Sequence, residues 1–333
     1  MIAYERVTTI CFSWVFKRPS VIAAFLIVAL LPFSAVAFDV HLGTGVTGTF
    51  SHFTGRTICR IINKHAEDMN CKTVPVIDDV HNLTNLQGGS LDIGLIDSRM
   101  LHDAMNKTGY FEFLDISYDN LRALFPLYDV PITLVVHSDA KITSLEALKG
   151  KRINAGAPRS LQHLAFDTIM KAKNWSERDF SLFEELPASQ SQDTMALCYG
   201  TIQAMIHIGV HPDSSLEQLL GRCKAGLVNM NDNDIEKLVM DHPAFSKINI
   251  AAGTYTSHPK GVTTFGTRAM LVASADLDEQ TVYKIIDAIY SNQKRLKRAH
   301  PALSSFTLDA ARKNDIGIQL HPGAVKYFSE HGF

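Results

Sequence analysis

From Phe38 onward, short apolar runs alternate with stretches of helical period, and this alternation most constrains what the chain can fold into. Phe38 to Leu42 reads as a strand and Thr57 to His65 as a helix with Ile58, Ile61 and Ile62 on one face. Cys71 to Ile77 is a second strand. A short helix then carries Val80, Leu83 and Leu86, stops at Gly88-Gly89, and leads to a third strand from Ile93 to Ile96. This β-α-β-α-β order predicts a parallel sheet flanked by helices.

The middle of the chain changes character. Leu121 to Tyr128 and Ile132 to His137 are consecutive extended runs broken by Pro131, a pair able to carry the chain from one domain into another. Ser144 to Gly150 reads as one helical turn with Ser as cap and Gly as stop, feeding a strand from Arg152 to Ala155. Helices at Leu161 to Lys173 and Gln190 to Cys198, a strand at Ala204 to Ile208 and a helix at Ser215 to Cys223 follow. Val262 to Ala273 is a long strand that runs back across. Glu279 to Arg298 reads as one strong helix, with a last short one after Pro322. The fold expected is α/β, two lobes joined by crossing hinge strands, and 333 residues suit two domains. Residues 38–131 and 261–333 would form lobe I and residues 132–260 lobe II, with a ligand cleft between them.

The first 37 residues stand apart. A basic segment ending at Lys17-Arg18 precedes an apolar run from Val21 to Leu31, then Pro32 and the A-x-A pattern Ala35-Val36-Ala37. The run is shorter than the roughly 20 residues that span a bilayer. It reads as a signal peptide cleaved after Ala37, rather than a retained anchor, and implies export to the periplasm. Removing it takes away Arg6, Lys17, Arg18 and Glu5 and leaves 29 basic against 33 acidic side chains, a net of −4. Nucleic acid, which asks for a basic surface, is not an expected partner.

Cysteine usage agrees with export. Cys11 leaves with the signal, and an even set remains: Cys59, Cys71, Cys198 and Cys223. Four cysteines allow three pairings, and the sequence does not choose among them. Pairing Cys59 with Cys71 and Cys198 with Cys223 closes the smallest loops. Zinc is the competing reading, but no two of the four have C-x-x-C spacing.

Gly43-Thr44-Gly45-Val46-Thr47-Gly48 is a literal G-x-G-x-x-G between a strand and a helix, as in dinucleotide folds. Three facts oppose that reading. Asp78 and Asp79 lie about 30 residues past Gly48 rather than about 20, Thr49 to Thr54 intervene before the helical pattern, and an exported protein meets little free dinucleotide. What survives is a Gly/Thr loop suited to a small anion at a helix N-terminus. Gly156 to Ser160 is a second such loop, with Ser160 as cap and Arg159 supplying a planar charged fork for carboxylates. Two loops in mirrored positions would converge on one anion. His207 and His211 lack a third ligand, and Gly209 and Pro212 spoil a helical metal face. No G-x-S-x-G elbow occurs, and Asp78, Asp79 and Asp97 read more readily as helix caps than as general acids. Neither cofactor nor metal is expected.

Several motifs in order resemble one family. They are the Gly43–Gly48 loop with Ile58-Cys59-Arg60, the stretch Ser144 to Arg152, and Met205 with His211-Pro212. Ala252 to Tyr255, Thr264-Phe265-Gly266 and Leu320 to Ala324 complete the series. From about Val40 to the C-terminus, the chain resembles the TAXI-type solute-binding proteins of tripartite ATP-independent periplasmic (TRAP) transporters. The resemblance implies a periplasmic binding protein type II-like fold that closes on a small carboxylate-bearing solute, such as an amino acid, dicarboxylate or keto acid. It implies delivery to a TRAP membrane permease driven by an ion gradient, without catalysis, by a monomer. It also agrees with the short-range cysteine pairing, which is therefore the pairing expected.

The family's ligand loops fall on Thr44 to Phe50, Asp78 to Asn82, Asp97-Ser98, Pro158 to Gln162 and His211. Candidate contacts are thus Thr44, Gly45, Thr47, Phe50, Asp79, Asp97, Arg159, Ser160 and His211. The sequence departs from the family where Phe50 to Phe53, Ile77-Asp78-Asp79, Pro158-Arg159-Ser160 and Asp97-Ser98-Arg99 stand. Arg159 with Asp79, or Asp78 beside it, suggests a zwitterion. An exported enzyme or a sensor module on a similar fold are the alternative readings.

Overall fold

The structure, a computed structural model, describes residues 37–158, 160–185, 190–309 and 316–332, with backbone alone for 190–193. The expected signal peptide and Arg159 lie outside the described residues.

The chain opens β1 (Phe38–Thr44), α1 (Phe50–His65), β2 (Met69–Pro75), α2 (Asp79–Gln87), β3 (Ile93–Asp97) and α3 (Ser98–Asn106). β1 runs parallel to both β2 and β3, as the alternation predicts. The first helix starts at Phe50 rather than Thr57. Its opening turns bury His52, Thr54, Gly55 and Thr57, so no apolar stripe marks them. Gly55 is required there, because a Cβ would lie 2.4 Å from Thr44 Cγ2 on β1.

Next comes β4 (Leu121–His137), one strand where two runs were expected. Pro131 is tolerated because β4 changes partner beside it: the ladder to the last strand ends at Ile132, and another ladder begins there. Then follow β5 (Arg152–Asn154), α4 (Leu161–Lys173), β6 (Leu182–Glu184), α5 (Gln190–Cys198), β7 (Ala204–Ile208), α6 (Ser214–Arg222), β8 (Ala225–Val228), α7 (Asn233–Asp241) and β9 (Ser246–Ile250). β10 (Val262–Ser274) returns along β4, followed by α8 (Glu279–Ser291), α9 (Gln293–Ala299) and α10 (Pro322–Glu330). The single helix expected from Glu279 breaks at Asn292. The Asn292 side-chain amide donates to Ala288 O at 2.8 Å and so competes with the helical ladder.

The fold is mixed α/β around one sheet of order β2-β1-β3-β10-β4-β7-β5-β6, with β8 on β4 and β9 on β10. β4 and β10 pair antiparallel from Leu121–Ser274 to Ile132–Phe265, then part. Beyond Ile132, β4 is flanked by β7 and β8, and the start of β10 by β9. At the parting point Gly266 faces Pro131, and a Cβ on it would lie 2.3 Å from Val130 O.

Four clusters of buried side chains surround the sheet. Two draw on residues 40–128 and 269–328, with Cys59 and Cys71 among them. The other two draw on residues 132–265, with Cys223 buried and Cys198 packed against it. Both short-range disulfides, Cys59–Cys71 and Cys198–Cys223, are formed.

Candidate functional site

The helices that follow β1, β2, β3 and β5 each begin on a side chain of their own. Thr49 accepts the His52 amide at 3.3 Å, Asp78 the His81 amide at 2.9 Å, Asp97 the Arg99 amide at 2.9 Å and Ser160 the His163 amide at 3.1 Å. These bonds satisfy amides that a helix leaves free in its first turn. Gly45 N–H donates to Ser51 Oγ at 3.2 Å, so the glycine loop uses this amide within the protein.

Asp97 ends β3 beside Ala269 of β10, which faces Tyr128 of β4. Thr267, two residues along β10, donates its hydroxyl to Asp97 Oδ2. Asp79 opens α2 and accepts the Asp97 amide on Oδ2 at 3.0 Å. Two partly buried carboxyls are thereby neighbours. Burial, and then the Asp97 charge, raises Asp79 from the ordinary carboxylate range to about 7. Burial also raises Asp97, against the pull of the Thr267 hydroxyl and the Arg99 amide. The buried Tyr128 phenol bonds Ser51; burial and the charges of Asp79 and Asp97 push it upward, so it keeps its proton. Asp78 behaves oppositely. Burial works against its ionisation, but the His81 amide and ring outweigh that and hold it below the usual range.

A pocket of ≈ 50 Å³ lies between the starts of α3 and α4, lined by Asp97, Arg99 and Thr267 together with Leu161, Ile208 and Phe245. Val130 and Ile132, on either side of Pro131, line it as well. The volume suits one or two waters at about 30 Å³ each. Arg99 ties the two helices: its Nη1 donates to Leu164 O at 3.2 Å and Thr168 Oγ1 at 2.7 Å on α4. A larger hollow of ≈ 220 Å³ between α7 and β10 is mostly apolar and is lined by neither Asp79 nor Asp97, so its size does not make it the better candidate.

His211 lies past the end of β7. Its Nε2 is 3.0 Å from Thr133 Oγ1 and its Nδ1 meets the Tyr255 hydroxyl. That hydroxyl also accepts the Asp213 amide at 3.0 Å. Burial, and then the nearby His207, lowers His211 to about 4, which keeps it neutral at pH 7.

Of the residues read from sequence, Asp79 and Asp97 are brought together. Ser160 caps α4 next to Leu161 of the pocket wall. Thr44 is buried, its hydroxyl 3.0 Å from His52 Nδ1. Phe50 packs edge-on against Tyr128 at 4.8 Å, whereas Thr47 is exposed on the outer side of the loop with Arg56 and Arg60. Arg159 lies outside the described residues. Tyr128 and Thr267 escaped sequence reasoning because both stand in apolar strand runs that read as core. The signal available was their place on the two long strands expected to cross.

Among the described residues no helix is long and apolar enough to cross a membrane. Residues 42–332 match the NMT1-like family. A TctC solute binding protein from Polaromonas is similar at 14% identity, over 86% of this chain and 98% of that one, with a TM-score of 0.54, and shares the fold. PhnD1 from Prochlorococcus marinus, solved with methylphosphonate, matches at 13% identity over 80% and 90% of the two chains with a TM-score of 0.48. The periplasmic aliphatic sulphonate binding protein SsuA from Escherichia coli matches at 13% over 89% and 79% with a TM-score of 0.47.

Proposed function

The chain belongs to the NMT1-like family, and from that premise we propose that it is an exported, periplasmic solute-binding protein. It captures a small solute at the parting of β4 and β10 and hands it, unchanged, to a membrane permease of the TRAP type. The observation that carries this reading is that Asp97 and Thr267 line a pocket shared with the start of α4, with Asp79 bonded to the Asp97 amide behind them. These groups recognise by charge and hydrogen bond. The four buried clusters divide near Ile132 and within β10 between Phe265 and Ala269, which supports two lobes hinged on the long strands. Solute touching both lobes selects the closed state by its differential affinity.

The solute carries both an amine and a carboxylate. Two neighbouring acids favour an ammonium group, and the Arg159-Ser160 loop of the sequence supplies the complement for a carboxylate. Calorimetry against paired amino and keto acids tests this. The amino acid should bind more tightly, and Arg159→Ala should weaken it by about ten- to a hundredfold, as loss of a charged hydrogen bond does. Preference for the keto acid, with normal binding by Arg159→Ala, contradicts the zwitterion.

A further inference from the structure

Beyond the pocket, the second half of α3 carries His102 and Asp103, and His242 caps the C-terminus of α7. The fold brings these residues together from distant parts of the chain. The rings of His102 and His242 lie 4.6 Å apart between centres, and one ligand atom from each of the three residues falls within 4.8 Å of the other two. His102 Nδ1 is buried without a hydrogen-bond partner, 3.7 Å from Asp103 Oδ1. We propose that His102, Asp103 and His242 bind a transition-metal dication of the zinc type, with water completing a four-coordinate shell.

Two imidazoles and one carboxylate suit zinc and its first-row neighbours rather than magnesium or calcium. Zinc bonds of about 2.0–2.2 Å place tetrahedral donors roughly 3.4 Å apart, so modest ring rotations close the set. An orphaned imidazole nitrogen is otherwise costly, since a buried polar atom without a partner loses its hydration for nothing. The 3.7 Å gap to Asp103 is too long to be a hydrogen bond. A shared metal resolves both.

The neighbours permit it. Asp103 Oδ1 accepts the Thr108 hydroxyl at 3.0 Å, a bond that orients a ligating carboxylate. Arg99 Nε stands 3.5 Å from Asp103 Oδ2, but Arg99 is anchored through Nη1 on α4 and keeps its place when the carboxylate turns. The Ala244 amide reaches His242 Nδ1 only at 3.4 Å, a weak bond that yields to the metal. The His242 ring also lies 4.9 Å from that of Phe245, a wall of the pocket. Metal here fastens α3 to the end of α7 and steadies that wall. The site stands or falls independently of the solute reading.

The test uses the full mature chain, free of any affinity tag, titrated with Co²⁺ as a spectroscopic substitute for Zn²⁺. The expected result is one Co²⁺ per chain with the strong visible absorption of a four-coordinate ion, displaced by Zn²⁺. His102→Gln and His242→Ala should each weaken Zn²⁺ binding at least tenfold while melting like the wild type. In the wild type itself, Co²⁺ should perturb the ring signals of two histidines among 14 most strongly, which keeps the test decisive if a variant misfolds. Absence of one-to-one binding, undiminished affinity in both variants, or perturbation of other histidines instead would overturn the proposal.

Discussion

Asp97 donates its amide to the Asp79 carboxylate at 3.0 Å, which ties the start of α3 to the start of α2 and leaves two acids side by side in a partly buried setting. With Asp79 raised to about 7, this pair is partly protonated at neutral pH. An ammonium group must release that proton to pair with Asp79. Affinity for an amine-bearing solute should therefore rise with pH, by up to about tenfold per pH unit below 7, and level off above. Asp97, Asp78 and Tyr128 face Asp79 as well, so Asp79→Asn is the informative variant. Calorimetry from pH 5.5 to 8.5 should show its curve flattened; an unchanged slope counts against the assignment.

Stability carries the opposite sign. A carboxyl raised in the folded state binds protons more readily folded than unfolded, so stability is fullest below the unfolded value near 3.8 and falls as pH rises toward about 7. Allowing for partial exposure, the penalty is about 1–2 kcal/mol at pH 8. Asp79→Asn removes it while leaving an oxygen for the Asp97 amide. The variant should melt higher than the wild type at pH 8, by about 2–4 °C per kcal/mol, and alike at pH 4. Scanning calorimetry that finds it less stable at pH 8 contradicts the burial argument.

Much of this was legible in the chain itself, for a physical reason. Strands β1, β2 and β3 and helices α2 and α4 bury apolar side chains at regular spacing, and periodicity reports burial. Helix α1 begins unseen because small and polar residues, Gly55 and Thr54 among them, face the sheet. The strands β6, β8 and β9 are too short or too broken in pattern to announce themselves, and α3 and α7 went unread between apolar runs. At the site, Asp79 and Asp97 were visible as acids at strand and helix ends. Their pairing was not, because it depends on register: Asp97 beside Ala269, and Ala269 beside Tyr128. Likewise the companionship of His102 and His242 is a product of tertiary packing alone.

Gly266 fixes how closely β10 approaches β4 at their parting point. A methyl group there would meet the Val130 carbonyl at 2.3 Å and Pro131 Cα at 2.9 Å, both backbone atoms that cannot turn aside. Gly266→Ala should cost about 1–3 kcal/mol and weaken solute binding, because Val130 and Ile132 line the pocket. A denaturant midpoint and an affinity both equal to the wild type would show that the strands separate freely.

The two disulfides close loops with sequence separations of 12 and 25 residues. Each restricts the unfolded chain and contributes about 3 kcal/mol on the chain-entropy account. Replacing either pair by serines should lower the midpoint of urea unfolding accordingly. Non-reducing peptide mapping of exported protein should recover Cys59 with Cys71 and Cys198 with Cys223; crossed pairs or free thiols would refute it.

Native mass spectrometry of protein recovered from the periplasm tests the central claim most directly. Wild-type protein should carry one small molecule per chain, with both an amine and a carboxylate, released intact on denaturation and taken up again unchanged. The double variant Asp79→Asn, Asp97→Asn should fold and be recovered empty. Protein that holds no solute and takes none up, a bound compound returned chemically altered, or equal occupancy in the double variant would contradict a solute-binding site built on these two acids.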